Sequence, residues 1–146
     1  MESISKELLL QLPKVELHCH LDGSLRVSSI LDQAKIDNVK LPFKNYDDLT
    51  AYFEIGENRG SLEDYIKRFD ITLCVMQTPK ALSRFAYELI EDVSKENVRY
   101  IEVRYSPILH TSKGMSLKEA IESVRCLLYT SPSPRDRTRS RMPSSA

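Results

Sequence analysis

An ionisable side chain occupies every second position of one short segment of the chain, at Glu16, His18, His20 and Asp22. Successive side chains of a β-strand point to opposite faces, so a strand here would gather these groups on one face. The other face would carry Val15, Leu17, Cys19 and Leu21. Two neutral imidazoles on one face can share a divalent cation, and a polar face is costly to bury without such a partner. We therefore predict that His18 and His20 form part of a metal site.

The residues that follow this segment bear on the choice between a metal site and an exposed strand edge. Histidines two residues apart also occur on exposed edges, where they bind nothing. The Asp22-Gly23 pair predicts a turn directly after the strand. His20 would then lie at the carboxyl end of the strand, where parallel-sheet folds build their active sites. This position favours the metal site, and Asp22 fits a turn-forming role as well as a functional one.

Apolar periodicity and capping residues predict the elements that would hold this segment in place. The predicted strands are Val15–His20 and Val98–Ser106, each with one polar face. Predicted helices cover 5–12, 27–36, 47–53, 79–97 and 116 to at least 125. Another predicted helix begins at Ser61 and carries an apolar stripe at helical spacing, formed by Leu62, Tyr65, Ile66, Phe69 and Leu73. Strands separated by helices are expected to be parallel with right-handed crossovers, so the predicted fold class is α/β.

Composition limits the kinds of protein that the sequence can encode. The 146 residues are 41% hydrophobic and 29% charged, enough for one modest core. We find no export signal and no apolar run near the roughly 20 residues of a membrane-spanning helix. An odd number of widely spaced cysteines indicates reduced thiols rather than a disulfide framework. These cysteines are Cys19, Cys74 and Cys126. We therefore expect a cytoplasmic protein without a membrane partner.

Residues 127–146 differ abruptly from the rest of the chain. They are rich in Ser, Pro and Arg and have no apolar periodicity, so we predict a disordered tail after a domain of residues 1–126. Three explanations remain open: a basic nucleic-acid-binding arm, a disordered linker, or the translated read-through of a cloning or sequencing adapter, which the abrupt change favours. Without the tail the chain has 17 basic and 20 acidic residues. This balance argues against nucleic-acid binding by the domain.

Two segments resemble a known enzyme family. The run from Pro13 to Arg26, with its H-x-H-x-D-G motif, resembles the first strand of the adenosine deaminase family, whose members are metal-dependent hydrolases on a TIM-like (β/α)₈ barrel. The run from Val98 to Pro107 resembles the second barrel strand, and the resemblance extends from about Leu12 to about Arg125. A complete barrel needs roughly 200 residues or more. The resemblance therefore implies the N-terminal part of a barrel, with the first two strands and inserted helices.

The resemblance assigns roles to residues of this chain. It implies zinc-dependent hydrolysis of adenosine to inosine and ammonia in purine nucleoside salvage, with a small purine nucleoside as substrate. His18 and His20 match the first two zinc ligands of the family, and Asp22 matches a residue that hydrogen-bonds the ribose. An apolar lid over the nucleoside is matched by Leu62, Tyr65, Ile66 and Phe69. Without the resemblance, such a helical stripe would be read as core.

The family's other zinc ligands and its proton-transferring residues lie on later strands, beyond the end of this chain. The resemblance therefore implies that no catalytic residue is present here and that this polypeptide alone is inactive. His110, in the loop after the second strand, is not expected to touch the metal, and we expect Glu102 and Arg104 to pair structurally. A related adenine or AMP deaminase and a non-catalytic binding module with a basic tail remain alternatives. The sequence makes no prediction of oligomeric state.

Overall fold

Two parallel strands and six α-helices make up the part of the protein that the structure, a computed structural model, describes. This part comprises residues 4–54 and 62–130, with the backbone alone described at 62, 64, 65 and 127–130. Strand β1 (Lys14–His20) pairs in parallel with β2 (Val98–Arg104). The helices are α1 (Lys6–Gln11), α2 (Val27–Ile36), α3 (Tyr46–Phe53), α4 (Leu62–Val75), α5 (Pro79–Lys95) and α6 (Leu117–Thr130). The predicted α/β fold class is confirmed by the parallel strands and the helices between them.

A single turn of 3₁₀ helix follows each strand directly. We call Leu21–Gly23 the β1 turn and Pro107–His110 the β2 turn. Because the strands are parallel neighbours, both turns lie at the same carboxyl edge of the sheet. Any groups carried by these two turns are therefore placed side by side.

The pairing of the two strands is irregular near the histidines. Glu16 pairs with Ile101 and Cys19 pairs with Val103, so three steps along β1 match two steps along β2. An extra residue of this kind is a β-bulge, which bends the strand and changes the direction of nearby side chains. His18 lies within the bulge, so strict alternation does not fix its direction.

The core lies between the helices and the sheet's carboxyl edge. Buried apolar side chains come from the β1 turn, from the stretch between the start of α2 and the end of α5, from Met115 and from α6. Half-buried Cys19, Ile101 and Val103 pack against this core from the strands. The largest fully buried apolar side chains are Leu21, Ile30, Leu49, Val75, Met76, Leu82, Phe85 and Val124.

Local sequence sets the ends of several helices. Thr78 caps α5 because its hydroxyl accepts a hydrogen bond from the Ala81 N–H at 3.2 Å, and Pro79 occupies the first helical position. Asn38 and Asn97 follow the ends of α2 and α5 with φ of 57° and 61°. Asparagine tolerates this left-handed conformation better than most residues, so it suits the position after a helix.

The boundaries of the predicted strands and helices lie within about two residues of the observed ones wherever both ends are described. The structure places α2 at Val27–Ile36, as predicted, and ends β2 at Arg104 rather than Ser106. Helix α6 runs to Thr130 and thus includes the first four residues of the predicted tail. The remainder of the tail and Ser61 lie outside the described residues. None of the described helices combines the length and apolar character needed to cross a membrane.

Candidate zinc and nucleoside site

The two histidines of β1 bring their imidazoles together at the end of the strand. The Nε2 atoms of His18 and His20 are 3.0 Å apart, and the ring centroids are 5.0 Å apart with planes inclined by 37°. Two imidazole nitrogens on one tetrahedral zinc, each at about 2.0–2.1 Å from the metal, are about 3.3 Å from each other. The pair therefore fits a shared zinc ion with little rearrangement.

Carboxylate groups lie close to both histidines. The His18 backbone N–H donates to Oε1 of Glu16 at 3.0 Å, within the bulge. His20 presents its other ring nitrogen, Nδ1, to Oδ1 of Asp22 at 3.7 Å. A metal-binding histidine commonly donates this second N–H to a carboxylate, although 3.7 Å is longer than a hydrogen bond. Asp22 thus lies where an outer partner of His20 would be expected.

The described residues supply only part of a catalytic metal centre. Within residues 4–54 and 62–130, no group of three or more His, Cys, Asp or Glu side chains is arranged to hold a metal ion. Catalytic zinc is held by three protein ligands with a fourth position left open. His18 and His20 therefore fit as two ligands of a centre whose other ligands are not among these side chains.

Asp22 occupies a nearly closed position in the β1 turn. The residue is 7% exposed, and its Oδ1 is buried without a hydrogen-bond donor among the described groups. A buried carboxylate oxygen without a donor is costly, so Asp22 is poised to accept a hydrogen bond. It borders a cavity of about 200 Å³ that is also lined by Gly23, Leu25, Val27, Ile30, Phe53, Arg68, Phe69 and Thr72.

The predicted lid residues divide into those beside Asp22 and those elsewhere. Phe69 lies against the β1 turn, where a Cβ added to Gly23 would meet its ring at 3.4 Å. The Phe69 ring is thus within van der Waals range of the β1 turn. Ile66 is 55% exposed on α4. The side chains of Leu62 and Tyr65 lie outside the described part of α4.

The cavity is also lined by residues that sequence reasoning did not select as site residues, among them Phe53, Arg68 and Thr72. Arg68 donates from Nη1 to the Phe53 carbonyl at 3.3 Å, and its guanidinium lies 5.7 Å from the centroid of the Tyr52 ring. Thr72 lies one turn after Arg68 on α4. Arg68 adjoins Phe69 in sequence, and Thr72 follows Phe69 by three positions. Helical spacing from the predicted lid could therefore have found both, but nothing in the sequence marks Phe53.

His110 is fully buried in the β2 turn rather than directed at the histidine pair. Its Nδ1 is 3.1 Å from the carbonyl of Met76, at the end of α4, and its ring centroid is 5.8 Å from that of Tyr105. Burial lowers the pKa of the imidazole from its usual value, more than the Met76 bond and the charge of Asp22 raise it. His110 is therefore neutral near pH 7. On β2, Arg104 Nη2 lies 3.6 Å from Glu102 Oε2, as predicted.

Comparison with known proteins places these features in a family. The model of the adenosine deaminase family matches residues 13–128. The chain belongs to the adenosine deaminase family. An adenosine deaminase of Clostridium botulinum (strain 657, type Ba4) is 54% identical over 114 residues, which cover 78% of this chain and 34% of that protein. The chain thus spans about a third of the length of the curated relatives that it matches.

Solved structures of family relatives share the fold. Adenine deaminase of Arthrobacter aurescens is 26% identical, with a TM-score of 0.71 over 80% of this chain and 35% of that chain. An amidohydrolase of Burkholderia ambifaria, solved with bound zinc, is 25% identical, with a TM-score of 0.69 over 94% of this chain and 36% of that chain. Adenosine deaminase family members are hydrolases, and the zinc-bound structure is consistent with the fit of zinc between His18 and His20.

Proposed function

We propose that this chain supplies the first part of a zinc-dependent adenosine deaminase, which converts adenosine and water to inosine and ammonia. The observation that carries the proposal is the 3.0 Å approach of His18 Nε2 to His20 Nε2 at the carboxyl edge of the sheet. Family membership supports it, as does the identity to a curated adenosine deaminase over most of the chain.

In this proposal each predicted site residue has a defined task. His18 and His20 hold the zinc ion through Nε2. Zinc in such a site lowers the pKa of bound water to about 7, which makes a nucleophile available at neutral pH. Asp22 accepts a hydrogen bond from a ribose hydroxyl and so fixes the sugar relative to the histidines. The base is covered by the apolar lid, Leu62, Tyr65, Ile66 and Phe69.

A nucleoside fits the described charges better than a nucleotide does. Asp22 places a carboxylate at the cavity, which attracts hydroxyl donors and repels a phosphate. Arg68 lines the same cavity, but its guanidinium already contacts the Phe53 carbonyl and the Tyr52 ring. Free adenine offers no hydroxyl to Asp22. Deamination of adenine remains the second candidate function, because the structure of an adenine deaminase from Arthrobacter aurescens shares this fold.

This polypeptide alone is proposed to be inactive. Two histidines leave a catalytic zinc short of a ligand, and the described residues hold no third ligand beside them. Activity then requires the other strands of the barrel.

A hybrid barrel tests the proposal. Residues 1–126 of this chain are joined to the part of the Clostridium botulinum enzyme that follows its matched segment, and we expect the purified hybrid to bind zinc and deaminate adenosine. His18→Ala and His20→Ala should each lower kcat/KM by about 10³-fold or more and lower the zinc content, because each removes a metal ligand. Glu102→Gln is the matched control, since it removes a carboxylate from the neighbouring strand and should keep the zinc.

The assay compares adenosine, adenine and AMP, with zinc content measured by mass spectrometry and folding by circular dichroism. A folded, zinc-loaded hybrid that deaminates adenine or AMP in preference to adenosine would support the alternative instead. Retention of zinc by both histidine variants would contradict the metal site. The 146-residue chain alone should show no turnover with any of the three.

We also propose that the protein is cytoplasmic and that residues 131–146 lie outside the folded domain. All three cysteines, which are among the described residues, are free thiols, as suits a reducing compartment. The tail composition cannot form a core. Cell fractionation checks the first point. For the second, limited proteolysis should remove the tail first and leave α6 intact.

A further inference from the structure

His110 and its turn are held by the two residues that follow α4, Met76 and Gln77, although the proposed reaction gives His110 no task. Its Nδ1 is hydrogen-bonded to the Met76 carbonyl at 3.1 Å. The side chain of Gln77 fixes the same turn on both sides, because Nε2 donates to the Leu109 carbonyl at 2.9 Å and Oε1 accepts from the Ser112 N–H at 3.1 Å. The imidazole is thereby fixed in one direction.

The hydrogen bond to Met76 also fixes which ring nitrogen carries the proton. A carbonyl oxygen can only accept, so Nδ1 of His110 must donate. In the neutral ring, Nε2 then carries a lone pair and acts as an acceptor. This Nε2 is buried and has no hydrogen-bond partner among the described groups. A buried acceptor without a donor is costly, so this arrangement requires an explanation.

A second unpaired acceptor lies on the adjacent turn. Oδ1 of Asp22 is likewise buried without a donor among the described groups. The β1 turn and the β2 turn follow neighbouring parallel strands, which places Asp22 and His110 at the same edge of the sheet. The charge of Asp22 acts on the imidazole of His110, which also indicates proximity.

We propose that His110 is a positioning residue for Asp22, and that a buried water donates one hydrogen to His110 Nε2 and the other to Asp22 Oδ1. Two acceptors cannot bond to each other, but one water can donate to both. The bridge would fix the rotation of the Asp22 carboxylate and leave Oδ2 for a ribose hydroxyl. The inference rests on the proposed function for the role of Asp22, but the bridge itself does not depend on the reaction.

Two substitutions in the hybrid barrel separate positioning from simple anchoring of the turn. Asparagine places its amide near the position of Nδ1, so His110→Asn keeps a donor for Met76 but loses the acceptor toward Asp22. Glutamine places its amide near Nε2, so His110→Gln keeps that acceptor and loses the Met76 bond. We expect His110→Asn to raise KM for adenosine about 10-fold with little change in kcat. The KM of His110→Gln should lie much closer to that of the unsubstituted hybrid.

Coupling to Asp22 provides the decisive comparison. In an Asp22→Asn background, His110→Asn should change KM by about twofold or less, because the group that it positions has already been altered. The assay is repeated with deoxyadenosines that each lack one ribose hydroxyl. For the analogue that lacks the hydroxyl bound by Asp22, His110→Asn should leave KM unchanged. The proposal would be overturned if His110→Asn raised KM equally in both backgrounds. It would also be overturned if KM were raised as much by His110→Gln as by His110→Asn.

A second measurement on the 146-residue chain needs no activity. Nitrogen-15 NMR of labelled histidine should show His110 protonated at Nδ1, with Nε2 accepting a hydrogen bond. Asp22→Ala should then move the Nε2 resonance toward that of a free lone pair and leave Nδ1 unchanged. A proton on Nε2 in the unsubstituted chain, or an Nε2 signal that ignores Asp22→Ala, refutes the bridge. An inactive hybrid with the expected NMR result would contradict the proposed function and support the bridge.

Discussion

The two ends of the run from Val15 to Asp22 lie in opposite surroundings, although they are only a few residues apart. Val15 and Leu17 are 61% and 58% exposed, whereas Leu21 is fully buried and Asp22 nearly so. The buried end packs against α4 and α5. The exposed stretch has a neighbouring strand on one side only, since β2 is its only partner among the described residues.

Helix α1 belongs to the same open region. It has no buried residue, and Leu8, Leu9 and Leu10 are each more than 40% exposed. In a closed barrel each strand has two neighbours and a covering layer of helices. The comparison shows that the described residues build the back of the candidate site, at the strands' carboxyl edge, and leave Val15, Leu17 and α1 exposed.

Cavity-forming substitutions give the largest effect that distinguishes the two regions. Leu21→Ala removes a fully buried side chain and should lower the free energy of unfolding of this chain by about 3 kcal/mol. Leu17→Ala, four residues earlier on β1, is the matched control and should change the free energy of unfolding by less than about 0.5 kcal/mol. Urea unfolding followed by circular dichroism measures both. Equal losses would mean that Leu17 is covered in solution, and the comparison would fail.

The next largest expected effect on stability comes from an ion cluster in the buried region, between the start of α2 and α5. Arg26 donates from Nε to Asp92 Oδ2 at 2.7 Å and also contacts the carboxylate of Glu91, which ties the start of α2 to α5. The guanidinium lowers the pKa of both carboxyl groups below their usual values. The stabilisation is therefore present above the ordinary carboxyl pKa of about 4 and is lost as the pH falls through the lowered values.

Arg26→Gln should lower the Tm by about 5 °C at pH 7, and the gap from the unsubstituted chain should close below about pH 4. Thermal melts between pH 3 and pH 7 measure this difference. Lys118→Gln is the control, because Lys118 is exposed and lies 3.9 Å from Glu122, a separation typical of a weak surface pair. A gap that persists at low pH would show that Arg26 stabilises through packing rather than through its charge.

Local signals explain how much of this architecture the sequence could predict. Helix α2 and the cap of α5 follow from periodicity and from Thr78-Pro79, because such signals act over a few residues. Both strands follow from alternation and β-branched content. The closeness of the His18 and His20 imidazoles follows from their spacing together with the turn after the strand, and their role as metal ligands stays a prediction. Each of these features is decided within one element.

The features that could not be predicted depend on contacts between distant segments. The bulge at His18 arises from the register against β2, more than eighty residues later in the chain. The burial of His110 depends on Met76 and Gln77, which are more than thirty residues away in sequence and carry no motif. Alternation predicted an apolar face at Val15 and Leu17, but burial of that face needs a covering layer. No local pattern contains this information.

The caps of α1, in the exposed region, and of α5, in the buried region, give the smallest expected effect on stability and the sharpest test of the comparison. Ser5 and Thr78 make the same bond, each accepting from a backbone N–H three residues on at 3.2 Å. Helix α5 carries five buried residues, whereas α1 carries none. Thr78→Ala should therefore cost about 1 kcal/mol of unfolding free energy. Ser5→Ala should cost at most a few tenths, because fraying of an unpacked helix barely affects global unfolding. Comparable costs in urea melts would show that α1 unfolds together with the core, and the open region would then be part of the same cooperative unit.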